Sequence, residues 1–273
     1  MKQKGRLLLA AACVALCCAA VLGLAGCGSS GAQGGPSSSQ ASTASSAAAS
    51  ETVSFTDSAG RTVELPGKID RIAVTGPISQ MFMLTLAPEK MVGLSNALSA
   101  SETKYIGDTY ANLPVLGQIY GGKGDFNKEA VANADPQVVI DIGEAKKTIV
   151  EDLDGIQSAI GIPCVHIEAS FDTYDQAYRK LGELLGVQDR ASKLADYCAK
   201  SFKATDDVVA SVPAAARVKV AYLLGDAGLN VMAKGSFQGT VVDRVADNVA
   251  VLDQPGGSGL GSETSFEQIA LWD

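Results

Sequence analysis

The sequence predicts an α/β fold of two Rossmann-like lobes joined by a long helix. Two observations predict it: short apolar runs flanked by Gly or Pro alternate with helical patterns, and a long helical stretch from Thr173 to Val212 separates two such regions. Strands that alternate with helices form a mostly parallel sheet covered on both faces. We therefore expect an N-terminal lobe at 51–185, a connecting helix at 186–212 and a C-terminal lobe at 213–273.

The N-terminal lobe is predicted to open with a hairpin, because apolar and polar residues alternate on both sides of the turn sequence Asp57–Gly60. The strands predicted after it are Arg71–Thr75, Met91–Leu94, Val115–Leu116, Gln137–Ile142 and Cys164–Ile167, and the helices between them include Ser79–Leu86, Lys128–Ala134 and Lys146–Ile160. Ligands of parallel sheets bind beyond the carboxyl ends of the strands. The loops after Val74, Leu116 and Ile142 are therefore the expected place for a site.

The connecting region is predicted to contain two helices, the first ended by Gly186 and the second capped by Asp189. Beyond Pro213, strand and helix patterns alternate again. The elements predicted there are a strand at Val218–Leu224, a helix at Gln238–Asp247 and a strand at Val249–Leu252.

The first 50 residues are predicted to direct export and tethering. Three basic residues precede an apolar run, Leu7–Leu22, and Leu24-Ala25-Gly26-Cys27 follows it. This pattern resembles a bacterial lipoprotein signal, which implies removal of residues 1–26 and lipidation of Cys27. A transmembrane anchor is the alternative, but the run is short for the ~20 residues that a span needs. Beyond Cys27, residues up to 50 are almost all small or polar and predict a flexible tether.

Composition and missing motifs exclude several functions. The chain has 22 Lys+Arg against 30 Asp+Glu, a net charge of −8, and no basic run, which argues against a nucleic-acid partner. It contains no P-loop, G-x-S-x-G, CxxC or HExxH sequence. We therefore predict no catalytic residue, no metal site and no cofactor, and expect a protein that is not an enzyme. A surface-anchored α/β hydrolase is the remote alternative.

Three further side chains are expected to be structural. His166, the only histidine, lies in a strand pattern and is predicted to pack there rather than bind a metal. Cys164 and Cys198 are the cysteines left once the signal is removed and Cys27 carries lipid. They lie on separate apolar patterns and are expected to be two buried thiols. A disulfide between them is the alternative, since an extracytoplasmic compartment is oxidising.

A sequence echo links the two lobes. Glu129-Ala-Val-Ala-Asn-Ala-Asp135 and Glu267-Gln-Ile-Ala-Leu-Trp-Asp273 each start a short predicted helix with a Glu and carry an Asp six positions later. In the first lobe a buried strand follows, whereas the sequence stops at the matching point of the second. We therefore expect a second lobe that is truncated at its C-terminus.

Eight segments share the order and spacing of a known family. They are Thr56–Pro66, Arg71–Val74, Leu113–Gly117, Asn127–Glu129, Ala134–Ile140, Gly161–Pro163, Lys180–Gly186 and Ser265–Gln268. Together they resemble the substrate-binding lipoproteins of bacterial ABC importers for ferric siderophores, haem and vitamin B12. The resemblance implies two lobes bridged by one rigid helix, a ligand cleft between them and only small closure on binding.

The resemblance also implies partners. The protein would be a membrane-anchored extracytoplasmic monomer that delivers a metal chelate to a permease dimer with its ATPase. One surface Glu of each lobe would dock into arginine pockets of the permease, by motif position Glu129 and Glu267. The alternative is that both are simply favourable first-turn helix residues.

The loops expected to face the cleft suggest the ligand. Their candidate contacts are Lys104, Tyr105, Tyr120, Lys123, Glu144, Lys146 and Lys147, with Asp226, Ser236 and Phe237 in the second lobe. If these loops converge, their lysines favour an anionic ligand such as a ferric siderophore. A corrinoid is disfavoured, because aromatic residues make up only 5% of the chain. Lys123 and Gly261 also stand where vitamin B12 binders carry tryptophan. The alternatives are an oxyanion such as molybdate, haem, or solvated lysines that bind nothing.

Overall fold

The N-terminal lobe begins with the predicted antiparallel hairpin. The structure is a computed structural model and describes residues 51–120, 126–253 and 261–272. Strand β1 (Thr52–Thr56) pairs with β2 (Thr62–Pro66) across a turn that starts at Asp57. The Asp57 carboxylate accepts the backbone amides of Ala59 and Arg61 at 3.0 and 2.9 Å, which fixes the turn.

The central sheet of this lobe is parallel, as predicted. Strands β3 (Ile72–Val74), β4 (Val138–Gly143) and β5 (Cys164–Glu168) lie side by side in that order. Two further segments join them through single parallel bridges, Ile72 to Met91 and Leu94 to Val115. The predicted strands at Met91–Leu94 and Val115–Leu116 are thus reduced to bridges. Pro114 contributes to this, since it accepts the Leu94 amide but has no N–H to extend the ladder.

Helices of the N-terminal lobe follow the predicted order, with three additional short ones. They are α1 (Pro77–Leu86), a 3₁₀ helix (Pro88–Lys90), α2 (Ala100–Ile106), α3 (Asp108–Ala111), α4 (Lys128–Ala134) and α5 (Ile149–Ile160). Helix α5 begins three residues later than predicted. The Ala145 amide, just before the predicted start, donates to Glu168 on the neighbouring strand.

The connecting region contains α6 (Tyr174–Leu185) and α7 (Gln188–Ala210). Gly186 ends α6 in the left-handed conformation, with a φ of 69°, as predicted. Asp189 does not cap α7. Val187 takes that position because its amide still bonds to Gly182 while its carbonyl already accepts the Ala191 amide, so Asp189 lies inside the first turn.

The C-terminal lobe is built from short elements. In order they are a 3₁₀ helix (Ala214–Ala216), β6 (Lys219–Val220), β7 (Leu223–Leu224), β8 (Asn230–Val231), α8 (Gly239–Val245), β9 (Asp247–Asn248), β10 (Ser262–Glu263) and α9 (Phe266–Ala270). Strands β6 and β9 pair in parallel, while β10, β8 and β7 form an antiparallel sheet in that order.

Two sequence predictions for this lobe need correction. The strand predicted at Val218–Leu224 divides into β6 and β7, which pair with different sheets. Gly225 and Gly228, with φ of 78° and 66°, allow the tight turn that folds β8 back onto β7. The strand predicted at Val249–Leu252 is instead β9, two residues earlier.

Apolar side chains cover both faces of the parallel sheet. One cluster includes Val74, Phe82, Ile140, Val165 and Leu181, and the cluster on the opposite face includes Ala73, Leu116, Val139, Leu153 and Cys164. Neighbouring residues of a strand point to opposite faces, so this division follows directly from strand geometry. A smaller cluster around Val231, Ala233 and Ala250 forms the core of the second lobe.

The expected structural residues are confirmed except that Cys198 is only partly buried, and the export segment is not described. His166 is fully buried on β5, and Cys164 and Cys198 are separate free thiols, Cys164 buried and Cys198 partly exposed. No helix in the described part of the chain is long and apolar enough to cross a membrane. The predicted signal, the tether and Cys27 lie outside the described residues.

Candidate functional site

The carboxyl ends of the five parallel segments meet at one edge of the N-terminal sheet. We call this the carboxyl edge and define it by the loops that follow Val74, Leu94, Leu116, Gly143 and Glu168. Polar side chains occur in or beside each of these loops. They are Thr75, Ser95, Asn96, Gln118, Glu144 and Glu168. Such an edge is where parallel sheets bind ligands, so it is the candidate site.

Helix α1 contacts and supports the loop after Leu94. Gln80, only 7% exposed, accepts the Ser95 and Asn96 amides through its Oε1 at 2.7 and 3.2 Å. The exposed Asn96 side chain then donates to Gln118 Oε1 at 3.2 Å, which joins this loop to the next one. A buried amide therefore positions a pair of solvent-facing amides at the carboxyl edge.

A chain of hydrogen bonds runs from the sheet interior to this edge. The Thr75 hydroxyl donates to Oδ1 of buried Asp141, and His166 Nδ1 lies 2.8 Å from Asp141 Oδ2. The other ring nitrogen of His166 lies 3.4 Å from Glu168 Oε2, and the Glu168 side chain is 39% exposed. The chain of hydrogen bonds links a buried carboxylate, that of Asp141, to one that faces solvent.

The environment of His166 raises its pKa above the ordinary value. Burial, the largest single effect, lowers the pKa, but hydrogen bonds and charge from Asp141, followed by those from Glu168, together outweigh it. The ring is therefore stabilised in its charged form although it has no contact with solvent.

The loop after β4 contains several predicted ligand contacts. Lys146 lies 3.8 Å from Glu144, so part of its charge is balanced within the loop. Lys147 is exposed beside it. The Tyr120 hydroxyl donates to Asp152 at 2.5 Å, and burial followed by this bond raises the pKa of Tyr120. The Tyr120 hydroxyl is therefore already hydrogen-bonded to α5, so mainly the ring of Tyr120 can contact a ligand at the carboxyl edge.

Two other predicted contacts of the N-terminal lobe lie on α2. Lys104 and Tyr105 are both exposed, Tyr105 to 90%, and make no contact with the sheet edge among the described interactions. Lys123 lies outside the described residues. Tyr120 thus lies beside the loop around Lys146, whereas Lys104 and Tyr105 lie on the helix that follows the loop after Leu94.

The predicted residues of the second lobe have different environments. Ser236 is buried, donates to the Ala233 carbonyl at 2.7 Å and accepts the Gly239 amide at 3.0 Å, so it holds the turn before α8. Asp226 is exposed in the turn between β7 and β8. Phe237 stacks on Phe171, three residues beyond β5, with ring centroids 5.9 Å apart. Phe237 is therefore the predicted second-lobe residue that lies beside the carboxyl edge.

An arginine supports the same junction between the lobes. Arg244 of α8 donates to both oxygens of Asp206 on α7 at 2.7 and 2.8 Å, and to Asp172 at 2.9 Å. Its guanidinium also lies 4.9 Å from the ring centre of Phe202. These contacts join α8 to the connecting helix and to the loop after β5.

The two predicted docking glutamates occupy equivalent positions. Glu129 is the second residue of α4, whose N-cap Asn127 accepts the Ala130 amide at 2.9 Å. Glu267 is the second residue of α9, whose N-cap Ser265 accepts the Gln268 amide at 3.2 Å. Both carboxylates are exposed. The sequence echo therefore corresponds to one shared local structure, a side-chain-capped helix start with an outward-facing Glu.

Several edge residues were missed from sequence. Glu168 ends β5 and Asn96 follows Leu94, and the rule that points to carboxyl ends would have found both had it been applied to these two strands; Gln118 lies in the loop after Leu116, which was expected to hold a site, but it was not singled out there. Arg244 carried no sequence signal, because its partners are 38 and 72 residues away. Within the described ranges, no group of three or more His, Cys, Asp or Glu side chains is placed to hold a metal ion.

Comparisons with known proteins agree with this architecture. The family model for periplasmic binding proteins matches residues 77–273. A search of curated proteins finds no match. Among solved structures, an ABC transporter solute-binding protein from Sulfurospirillum deleyianum is 27% identical, with a TM-score of 0.72 over 81% of this chain and 69% of that one.

Two more distant structures share the fold. The molybdate-binding protein MolA of Haemophilus influenzae, solved with molybdate, is 20% identical, with a TM-score of 0.64 over 81% of this chain and 71% of that one. The haem-binding protein HmuT is 18% identical, with a TM-score of 0.55 over 81% and 69%. One fold therefore serves chemically different solutes. The family match covers most of the chain, and the chain belongs to the periplasmic binding protein family.

Proposed function

We propose that this chain is the solute-binding component of an ABC importer and that it holds its solute at the carboxyl edge. The observation that carries this proposal is the junction of that edge with the second lobe. Phe237 stacks on Phe171 immediately beyond β5, so a solute at the edge would lie beside both lobes. The S. deleyianum protein, 27% identical, is named as a component of this kind.

The solute we propose is a metal chelate, most simply a ferric siderophore. Its oxygen-rich periphery would meet the donors of the edge, which include Lys146 and Lys147 and the amide of Asn96. Glu144 and Glu168 add acceptors, which favours a solute with hydroxyl or amine groups over a bare oxyanion. Similarity to MolA, which was solved with molybdate, makes an oxyanion the second candidate solute, and similarity to HmuT makes haem the third.

We also propose which residues dock on the permease and how the protein is retained at the membrane. Glu129 and Glu267, one on each lobe, would pair with arginines of two permease subunits, because charge-assisted bonds to carboxylates set orientation as well as affinity. Cys27 would carry the lipid that anchors the chain outside the cell membrane. The proposed domain limits are those predicted from sequence, with α7 inside the connecting segment 186–212.

Binding is tested by calorimetry of the chain with a ferric catecholate siderophore, a ferric hydroxamate siderophore, molybdate and haemin. Trp272, the only tryptophan, gives a parallel fluorescence signal. We expect saturable binding of one of the two siderophores and no heat from molybdate. Binding of molybdate or haemin alone would replace the siderophore assignment, and the absence of binding to all four would contradict the proposal.

Docking is tested with Glu129→Gln and Glu267→Gln in a reconstituted transporter. Each variant should lower solute-dependent ATPase activity, and the double variant should lower it further, while solute affinity stays unchanged. Glu151→Gln is the matched control, since Glu151 is also an exposed first-turn glutamate of a helix in the N-terminal lobe. Equal effects of all three substitutions would show that only helix stability is involved.

A further inference from the structure

Both ring nitrogens of His166 face carboxylate oxygens. Nδ1 lies 2.8 Å from Asp141 Oδ2, and Nε2 lies 3.4 Å from Glu168 Oε2. A neutral imidazole has one N–H, and an ionised carboxylate can only accept hydrogen bonds. A neutral ring would therefore set an unprotonated nitrogen against a carboxylate oxygen. The doubly protonated imidazolium donates to both, so the arrangement itself favours the charged ring.

The charges of the groups around the His166 ring favour a buried, positively charged ring. Asp141 faces it from β4 and Glu168 from its own strand, β5. A further charge is Asp57 of the hairpin turn, which accepts the His166 backbone amide at 3.2 Å and is itself paired with Arg61. Lys180 of α6 donates to Ser58, whose backbone amide bonds to the His166 carbonyl. Opposite charge at this range favours the charged form of a group, which is the direction of the raised pKa of His166.

The proton on His166 has a structural consequence at the carboxyl edge. Glu168 Oε2 also accepts the Ala145 amide at 3.0 Å. Ala145 belongs to the loop after β4, between Glu144 and Lys146. One carboxylate oxygen thus joins the buried histidine to the loop that carries the proposed solute contacts. Deprotonation of the ring would remove the donor that faces Glu168.

We propose that His166 is a positioning residue of the solute site, whose imidazolium, held by Asp141, fixes Glu168 and the loop after β4. Solute affinity then depends on a single buried proton. This inference rests on the proposed function, because it takes the carboxyl edge as the place where the solute binds. It adds to that function a pH dependence and a residue that acts without touching the solute.

The first test needs no solute. His166 is the only histidine, so its ring proton signals in an NMR titration of the full chain are unambiguous. We expect them to titrate above pH 6.5, and to titrate at lower pH in Asp141→Asn. The backbone amide signal of Ala145 should move with the same midpoint, because Glu168 transmits the change. Titration of the ring at or below pH 6.5, or an Ala145 amide signal that does not shift with the ring titration, would overturn the inference.

The second test measures affinity for whichever of the siderophores, molybdate or haemin binds. Wild-type affinity should fall by roughly threefold to tenfold as the pH rises through the His166 midpoint, as expected for loss of one charge-assisted contact. His166→Gln and Glu168→Gln should remove that pH dependence, and Glu151→Gln should retain it. Glu168→Gln leaves the buried pair of His166 and Asp141 intact, so it decides the matter if His166→Gln fails to fold.

The two tests separate the two proposals. If no solute binds while the ring and Ala145 titrate together, the proposed function fails and the coupling within the edge stands. If a solute binds with an affinity that does not change through the His166 midpoint, the proposed function stands and the positioning role is wrong.

Discussion

Phe237 of the second lobe stacks on Phe171 of the loop after β5, with ring planes inclined by 27°. Tyr174 and Phe202 pack against Phe171 at 5.3 and 6.2 Å between ring centroids, so the pair belongs to an aromatic cluster at the junction of the lobes. Helix α7 is therefore not the sole connection between the lobes. A cluster of rings beside the carboxyl edge therefore joins the lobes in addition to α7.

Coupling between Phe171 and Phe237 is expected in a double-mutant cycle. Each Phe→Ala substitution should lower the free energy of unfolding, and the double variant should cost less than the sum by about 0.5–1.5 kcal/mol, the range of a packed aromatic pair. Urea unfolding followed by circular dichroism measures this. Phe266→Ala is the control, because Phe266 is 68% exposed and should show no coupling to Phe171. An additive cycle would mean that the rings do not stabilise the junction.

Elements with strong local patterns were predictable from sequence. The parallel strands β3, β4 and β5 are mainly apolar, and α4 has its predicted limits, with Asn127 as its N-cap and Pro136 just beyond it. Local chemistry and tertiary packing agree in these elements. The same agreement placed His166 and Cys164 inside the sheet.

Elements decided by distant contacts were not predictable. The division of Val218–Leu224 depends on which strands pair with each half, and Ala145, just before the predicted start of α5, bonds to Glu168 on another strand. The carboxyl edge could be located from strand order alone. The position of the His166 ring between Asp141 and Glu168 could not, because Asp141 lies on a neighbouring strand 25 residues away in sequence.

The two free thiols should differ in reactivity. Cys164 has no exposed surface, and burial raises its pKa to about 12. Cys198 is partly exposed, although burial and then Asp175 raise its pKa as well. Because the thiolate is the reactive form, a maleimide should label Cys198 at least about tenfold faster than Cys164 in the folded chain.

Peptide mass spectrometry resolves the two labelling sites. In urea, both thiols should label at similar rates, which serves as the internal control. Equal labelling in the folded chain would show that β5 opens readily, and a disulfide-linked peptide pair would contradict the separate thiols.

Stability should depend on pH through His166. A histidine whose pKa is raised on folding contributes stability that is fully present below its unfolded value, near 6.5, and is lost as the pH rises through the folded value. The difference in unfolding free energy between wild type and His166→Gln should therefore shrink as the pH rises above about 6.5. Each pH unit between the two pKa values accounts for about 1.4 kcal/mol.

Urea unfolding at several pH values measures that difference. Carboxylates that titrate at lower pH contribute equally to the unfolding free energy of both proteins, so their contribution cancels in the comparison with His166→Gln. A difference that grows as the pH rises would mean that the ring is buried in its neutral form.

Two glycine substitutions of the same kind should have opposite effects. A Cβ placed on Gly182 of α6 would lie 2.3 Å from the Cβ of Ala191 on α7, closer than two carbons can approach. A Cβ on Gly155 of α5 would meet no atom within 4 Å. Gly182→Ala should therefore lower the free energy of unfolding by about 1–3 kcal/mol through overpacking. Gly155→Ala should raise it by roughly 0.5–1 kcal/mol, because alanine loses less backbone entropy than glycine in a helix.

The comparison isolates the helix contact, because both positions lie within helices and gain the same methyl group. Urea midpoints at constant slope give both values. A Gly182→Ala protein as stable as wild type would show that α6 and α7 can separate enough to bring the two Cβ atoms from 2.3 Å to an ordinary contact of about 3.5 Å. The direction of α7, and with it the position of the second lobe at the carboxyl edge, would then not be fixed by this contact.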